Sequence, residues 1–178
     1  MAQQHFCQWQ YNPVRGRLAI LLPSKNLVFT TLTEKHLASD GVVNSPCSLV
    51  DFDDYNRFSQ LLFACGFEQE TLEILAYSAV ATQHFLLPSQ PKSWFFQPCG
   101  SESIAPQTLA QVKIKQTEQW AMVLVTNIEG SVANCLWLEN DLALAGLQLT
   151  FGEPFRIFVD RLQAVSLNIT HQYYQQSA

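Results

Sequence analysis

The sequence predicts an α+β protein. An N-terminal α/β region, a small antiparallel sheet with two helices, is expected to pack on a C-terminal antiparallel barrel or sandwich. Three observations carry this: short runs divided by turn residues open the chain, two long segments with apolar residues at three-and-four spacing follow, and beyond Pro91 the pattern changes to short alternating runs. The two regions are expected at residues 1–90 and 91–178.

In the first region, Cys7 to Tyr11, Arg17 to Leu22 and Leu27 to Thr31 read as three strands in meander. Asn12-Pro13-Val14-Arg15-Gly16 and Pro23-Ser24-Lys25-Asn26 supply the turns, because Pro presets φ and Gly meets turn conformations that other residues resist. At most a short helical turn fits around Glu34 to Ala38 before Ser39-Asp40-Gly41 and Asn44-Ser45-Pro46 punctuate the chain. The first helix is predicted over Phe52 to Cys65. Asp51, Asp53 and Asp54 crowd its front, where carboxylates accept free backbone N–H groups and meet the positive end of the helix dipole. Phe58, Leu61, Leu62 and Cys65 fall on one face, and Gly66 supplies the stop. The second helix runs from Glu68 to about Leu86, with Leu72, Leu75, Ala76, Ala79, Val80 and Gln83 in helical register. Pro88 and Pro91 then force an extended exit, since Pro lacks the N–H that would continue a helix. The Trp94, Phe95 and Phe96 that follow call for a buried partner, with Trp94 expected as an anchor between the regions.

The second region reads as strands at Val112 to Lys115, Trp120 to Val125, Val132 to Leu138, Leu142 to Leu149 and Phe155 to Asp160. Asn127-Ile128-Glu129-Gly130, Glu139-Asn140-Asp141 and Phe151-Gly152-Glu153-Pro154 separate them, a spacing that suits an antiparallel barrel or sandwich. The Gln-rich tail from His171 to Ala178 is expected to fray.

With 48% hydrophobic and 14% charged residues, the chain has ample apolar surface to bury and should fold. The net charge of −5 argues against a dedicated nucleic-acid binder, and five Lys/Arg against eight Asp/Glu before residue 90, then five against seven after it, leave neither half basic. Cys7, Cys47, Cys65, Cys99 and Cys135 are odd in number, widely spaced and free of any C-x-x-C pair, which speaks for reduced thiols and a cytoplasmic setting. The start of the chain lacks a basic stretch followed by an apolar one, and no apolar run reaches the roughly 18 residues of a spanning helix. A soluble, unexported protein without a membrane partner is expected.

Chemistry is harder to find. His5, His36, His84 and His171 are scattered without metal-ligand spacing, and no G-x-S-x-G, H-E-x-x-H, Walker or G-x-G-x-x-G pattern occurs. Helix capping explains Asp51, Asp53 and Asp54 with fewer assumptions than a bound divalent cation. The expectation is therefore a non-enzyme with no catalytic residue, cofactor or metal. A binding module asks for less, namely an apolar surface with a few orienting polar groups. Lys113 and Lys115 alternate with Val112 and Ile114, and Arg156 lies between Phe155 and Ile157, so these cations face one side of their strands, as they also would on a solvated outer face. An alternative reading is a small barrel domain that binds single-stranded nucleic acid, with Trp120, Trp137 or Phe158 as stacking platforms beside Lys113 and Lys115. The acidic balance counts against it.

Leu75 to Leu87 followed by Pro91-Lys92-Ser93-Trp94, the block Asn134-Cys135-Leu136, the pair Ala145-Gly146, and the ending Arg156-Ile157 through Asp160-Arg161-Leu162 carry a family likeness. Together with the Trp9-Gln10-Tyr11 hairpin they resemble the bacterial cell-division protein ZapC family, from about residue 9 to 165. The resemblance implies an N-terminal α/β region packed on a C-terminal twisted β-barrel-like region, in a cytoplasmic, non-enzymatic protein of the mid-cell division ring. It would bind the globular core of polymerised FtsZ, the tubulin-like GTPase, and promote lateral bundling of its filaments. It also implies two pockets, an apolar one in the N-terminal region around Leu18, Ile20 and Leu22, and a C-terminal one whose apolar centre has a basic rim of Lys92, Arg156 and Arg161. Leu147 and Gln163 stand where the family pattern carries basic residues, which leaves Lys113 and Lys115 as substitutes from a neighbouring strand. Two pockets on two regions would let a monomer crosslink filaments.

Overall fold

The structure of the chain, a computed structural model, describes residues 7–100 and 103–165. The Gln-rich tail lies outside the described residues. The first region holds strands β1 (Gln8–Asn12), β2 (Arg17–Leu21), β3 (Leu27–Thr33) and the two-residue β4 (Ser45–Pro46), in the spatial order β3-β2-β1-β4 with β1 antiparallel to both neighbours. Helices α1 (Leu49–Ala64) and α2 (Gln69–Phe85) follow. α1 begins earlier than its acidic cluster suggests. Ser48 is its N-cap, accepting from the Asp51 N–H at 3.2 Å, while the Asp51 carboxylate returns a bond to the Ser48 N–H at 3.0 Å.

The second region holds β5 (Thr108–Lys113), β6 (Trp120–Glu129), β7 (Val132–Trp137), β8 (Leu142–Leu144), β9 (Leu147–Leu149), β10 (Pro154–Phe158) and β11 (Gln163–Ala164). Five of them form an antiparallel sheet in the order β10-β7-β6-β5-β11, and β8 pairs only with β9 among the described residues. The edge strands β10 and β11 do not pair with each other, so this sheet is open where a barrel would close. The run Leu142 to Leu149 is a hairpin instead of one strand. Its break is Ala145-Gly146, where Gly146 adopts φ 89°, which a side chain would resist.

Strand alternation divides the five-stranded sheet into two buried faces. Leu109, Leu124 and Leu136 point to α2 and join a core cluster with Trp9, Leu18, Ile20, Phe58, Leu62 and Leu75, so one core runs across residue 90. Ala110, Val112, Val123, Val125, Cys135, Phe155 and Ile157 point the other way, beneath Phe96 and the β8–β9 leucines. α2 is therefore packed on all sides over residues 75–82. This is why it buries Tyr77, Ser78, Ala81 and Thr82 as well as the apolar face expected of it.

The cysteine expectation is corrected at one pair: Cys7 and Cys47 form a disulfide with Cα atoms 5.3 Å apart. The cause is the β1–β4 pairing, which sets Gln8 opposite Pro46 and carries the Cys47 N–H to the Cys7 carbonyl at 3.0 Å. Cys65, Cys99 and Cys135 are free.

Candidate functional site

The seam after α2 sits along the outer edge of β10. On an antiparallel edge strand, every second residue turns its N–H and C=O away from the sheet, and here Arg156 and Phe158 do so. The Lys92 N–H donates to the Arg156 carbonyl at 2.8 Å, and the Phe158 N–H donates to Ser93 Oγ at 2.8 Å. Farther along, the Gln97 N–H donates to the Lys113 carbonyl and the Cys99 N–H to the Asp160 carbonyl, both at 2.8 Å. The seam thus covers an open edge and ties β10 to the end of β5.

That lacing leaves aromatic surface outside. Phe96 is fully buried and is the anchor of the seam, whereas Trp94, the expected anchor, is 55% exposed and Phe158 is 40% exposed. Reading the aromatics as a block missed this, because a 3-10 turn over Ser93–Phe95 rotates successive side chains to different sides. Lys92 and Arg161 lie at the same place. Arg161 Nε donates to the Ser93 carbonyl at 3.1 Å, its Nη1 pairs with Asp160 at 2.9 Å, and Lys92 forms no ion pair among the described residues.

The other predicted residues go elsewhere. Arg156 turns its side chain to the α2 face of the sheet. There Nε donates to Asn134 Oδ1 at 3.1 Å, Nη1 donates to the Ser89 carbonyl at 2.7 Å, and Nη2 lies 3.6 Å from Glu129. Its charge is engaged within the protein. Lys113 lies over Trp120, with Nζ 5.9 Å from the ring centroid, beside a pocket of ≈ 210 Å³ that Cys99 and Gln163 also line. Lys115 is exposed in the turn after β5, and its N–H donates to the Phe95 carbonyl at 3.0 Å. Trp137 is buried at 1% exposure in the core, out of reach of a stacking base. Leu18 and Ile20 are each 1% exposed within the core cluster, and Leu22 is half-buried against it.

Two buried carboxylates mark polar ties that sequence spacing did not reveal. Asp51 accepts from His84 Nε2 at 2.6 Å and from Trp9 Nε1 at 3.2 Å, bridging both helices and β1. Burial works to raise its pKa, but the bonds from His84, the Ser48 N–H and Trp9 outweigh it and hold the carboxyl at about 2. The hydrogen bond to Asp51 raises the pKa of His84 against the opposing effect of burial. Glu153 is similar: burial would raise it, yet bonds from His36, the Thr150 N–H and Lys35 hold it at about 2. Since His36 Nδ1 accepts the Thr33 N–H at 3.0 Å, the proton facing Glu153 is on Nε2. These groups tie elements together, and among the described residues no group of three His, Cys, Asp or Glu side chains is placed to hold a metal. No helix of the described residues is long and apolar enough to cross a membrane.

Residues 88–168, from the seam to just past β11, match the family model described as the C-terminal part of the cell-division protein ZapC. Similarity also extends over the N-terminal region. The cell division protein ZapC of Proteus mirabilis is 27% identical over 173 residues, 96% of this chain and 89% of that protein. Those of Vibrio vulnificus and Shewanella woodyi are 25% and 26% identical, covering 89% and 90% of the chain and 88% and 90% of the relatives. From the first sheet to the last, the family that this chain resembles is that of the cell-division protein ZapC.

Proposed function

We propose that this chain is a cell-division factor that binds FtsZ and promotes lateral bundling of its filaments in the division ring, in the cytoplasm and without catalysis. The similarity to the cell-division protein ZapC supports a role in division, and FtsZ is the partner that the resemblance implies. One observation carries the choice of surface: the turn Ser93–Phe95, with Lys92 before it and exposed Trp94 within it, is bonded both to Arg161 and to β10, which ends in exposed Phe158. An apolar platform edged by cations suits an acidic partner, and in a chain of net charge −5 it must act locally, because long-range steering has the wrong sign. Arg156 supports this surface by tying Ser89 to the sheet and does not meet the partner. Lys113 and Trp120 form a neighbouring basic-aromatic spot across the seam. Bundling takes two contacts per molecule, and the N-terminal region is the place for the second, with Leu22 as its most accessible candidate.

Co-sedimentation with GTP-polymerised FtsZ, read together with light scattering, tests the reading. The protein is expected in the pellet with increased scattering. Measured well below each melting transition, because Arg161→Glu also loses its bonds to Ser93 and Asp160, Lys92→Glu and Arg161→Glu should each weaken pelleting about tenfold or more, since each replaces an attraction by a repulsion. No enrichment in the pellet together with unchanged scattering would refute the function, and full binding by both variants would refute the surface.

A further inference from the structure

Ser93 stands between two residues of the proposed surface and shows almost nothing of itself, being 3% exposed. Its Oγ accepts the N–H of Phe158, an edge-strand donor that has no strand beyond it to meet, at 2.8 Å. Its carbonyl accepts Arg161 Nε at 3.1 Å and the Phe96 N–H at 3.1 Å. The hydroxyl therefore fixes the seam against β10, and the carbonyl of the same residue fixes the plane of the guanidinium. With Asp160 on Nη1 at 2.9 Å, Arg161 is held on two sides, and Nη2 has no partner among the described residues. A planar guanidinium held in this way has lost its rotamer freedom before a partner arrives, so in this side chain, 19% exposed, the three N–H bonds left over on Nη1 and Nη2 are aimed in advance.

We propose that Ser93 is the positioning residue of this surface: it aims Arg161 and holds the turn that carries Trp94 to the strand end that carries Phe158, so that a carboxylate of the partner meets Arg161 while an apolar group of the partner covers exposed aromatic surface. This rests on the reading of the seam as the FtsZ-binding surface. The hydroxyl is the part that matters, because Ala removes the acceptor for the Phe158 N–H and Thr keeps it.

A double-mutant cycle on binding tests the role. Binding to GTP-polymerised FtsZ is measured for the wild type, Ser93→Ala, Arg161→Gln and the double variant, at a temperature well below every melting transition. Arg161→Gln is expected to weaken binding about tenfold and Ser93→Ala about fivefold. The part of Ser93 that acts through Arg161 is already lost in Arg161→Gln, so the double variant should bind less weakly than the product of the two losses, whereas a merely structural loss would multiply with it. Ser93→Thr should bind as the wild type does. Losses that multiply, a Ser93→Ala variant with full affinity, or a folded Ser93→Thr variant as weak as Ser93→Ala would overturn the role of Ser93 and leave the surface standing. An Arg161→Gln variant that binds as the wild type does would overturn the role of Ser93, and the surface would fall with it only if Lys92→Glu also bound fully.

Discussion

Two arginines that look alike in the sequence have different fates. Arg156 in β10 and Arg161 just after it are both expected in one basic rim, yet Arg156 is bonded to Ser89, Asn134 and Glu129, while Arg161 is bonded to Ser93 and Asp160 and leaves Nη2 without a partner among the described residues. Alternation predicts the side of a strand that a residue faces, but not which side will be covered. Gly152 shows a contact of the same origin. It has φ 79°, its carbonyl accepts Thr31 Oγ1 at 2.6 Å, and a Cβ there would lie 2.7 Å from Thr31 Cγ2 and 3.1 Å from Leu75 Cδ2. Gly152→Ala combines left-handed strain with overpacking between the two halves, so a loss of about 2–4 kcal/mol is expected in urea unfolding. A loss below about 1 kcal/mol would mean that the two halves are not pressed together at this point. In the sequence, Phe151-Gly152-Glu153-Pro154 reads only as a turn. That it is a turn was legible; that it touches β3 and α2 was not.

At the scale of elements, the helical hairpin is tied at one end by Asp51 and His84, on α1 and α2 respectively. The Asp51 pKa is lowered from 3.8 to about 2, so its contribution is present above its unfolded value and is lost as pH falls through about 2. The His84 pKa is raised from 6.5, so its contribution is complete below that value and is lost as pH rises through the folded one. The tie is thus strongest between about pH 4 and 6.5. Comparing urea unfolding at pH 5 and pH 8, the wild type should lose more stability than His84→Gln, which cannot titrate. Equal losses in the two proteins would show that the pair contributes nothing to the pH dependence. Both helices were legible to within a few residues because their apolar spacing is periodic. Ser48 was not read as the cap of α1, since three nearby aspartates present the same chemistry.

At the scale of the molecule, the change of pattern near residue 90 divides kinds of secondary structure, while the apolar core crosses it. Leu109, Leu124, Leu136 and Leu138 belong to the cluster built on α2 and the first sheet. At about 2 kcal/mol for each buried leucine, they contribute roughly 8 kcal/mol, comparable with the roughly 5–15 kcal/mol by which a whole domain is stable. Residues 1–90 expressed alone should therefore lack a cooperative melting transition and expose the surface of α2 to hydrophobic dyes. A sharp transition in that fragment would show that the first region is an independent domain.

The sequence by itself determined what is periodic and local: an α+β composition, the two helices, most strands, the turn at the seam and the balance of charge. It also carried the Pro91-Lys92-Ser93-Trp94 block on which the family likeness rests. Tertiary structure alone decided the disulfide of Cys7 and Cys47, the open five-stranded sheet, the exposure of Trp94 in place of Phe96 and the parting of Arg156 from Arg161. The physical reason is shared. Each depends on which strand edge or sheet face another segment covers, and a segment distant in the chain leaves no periodic trace at the residue that it covers.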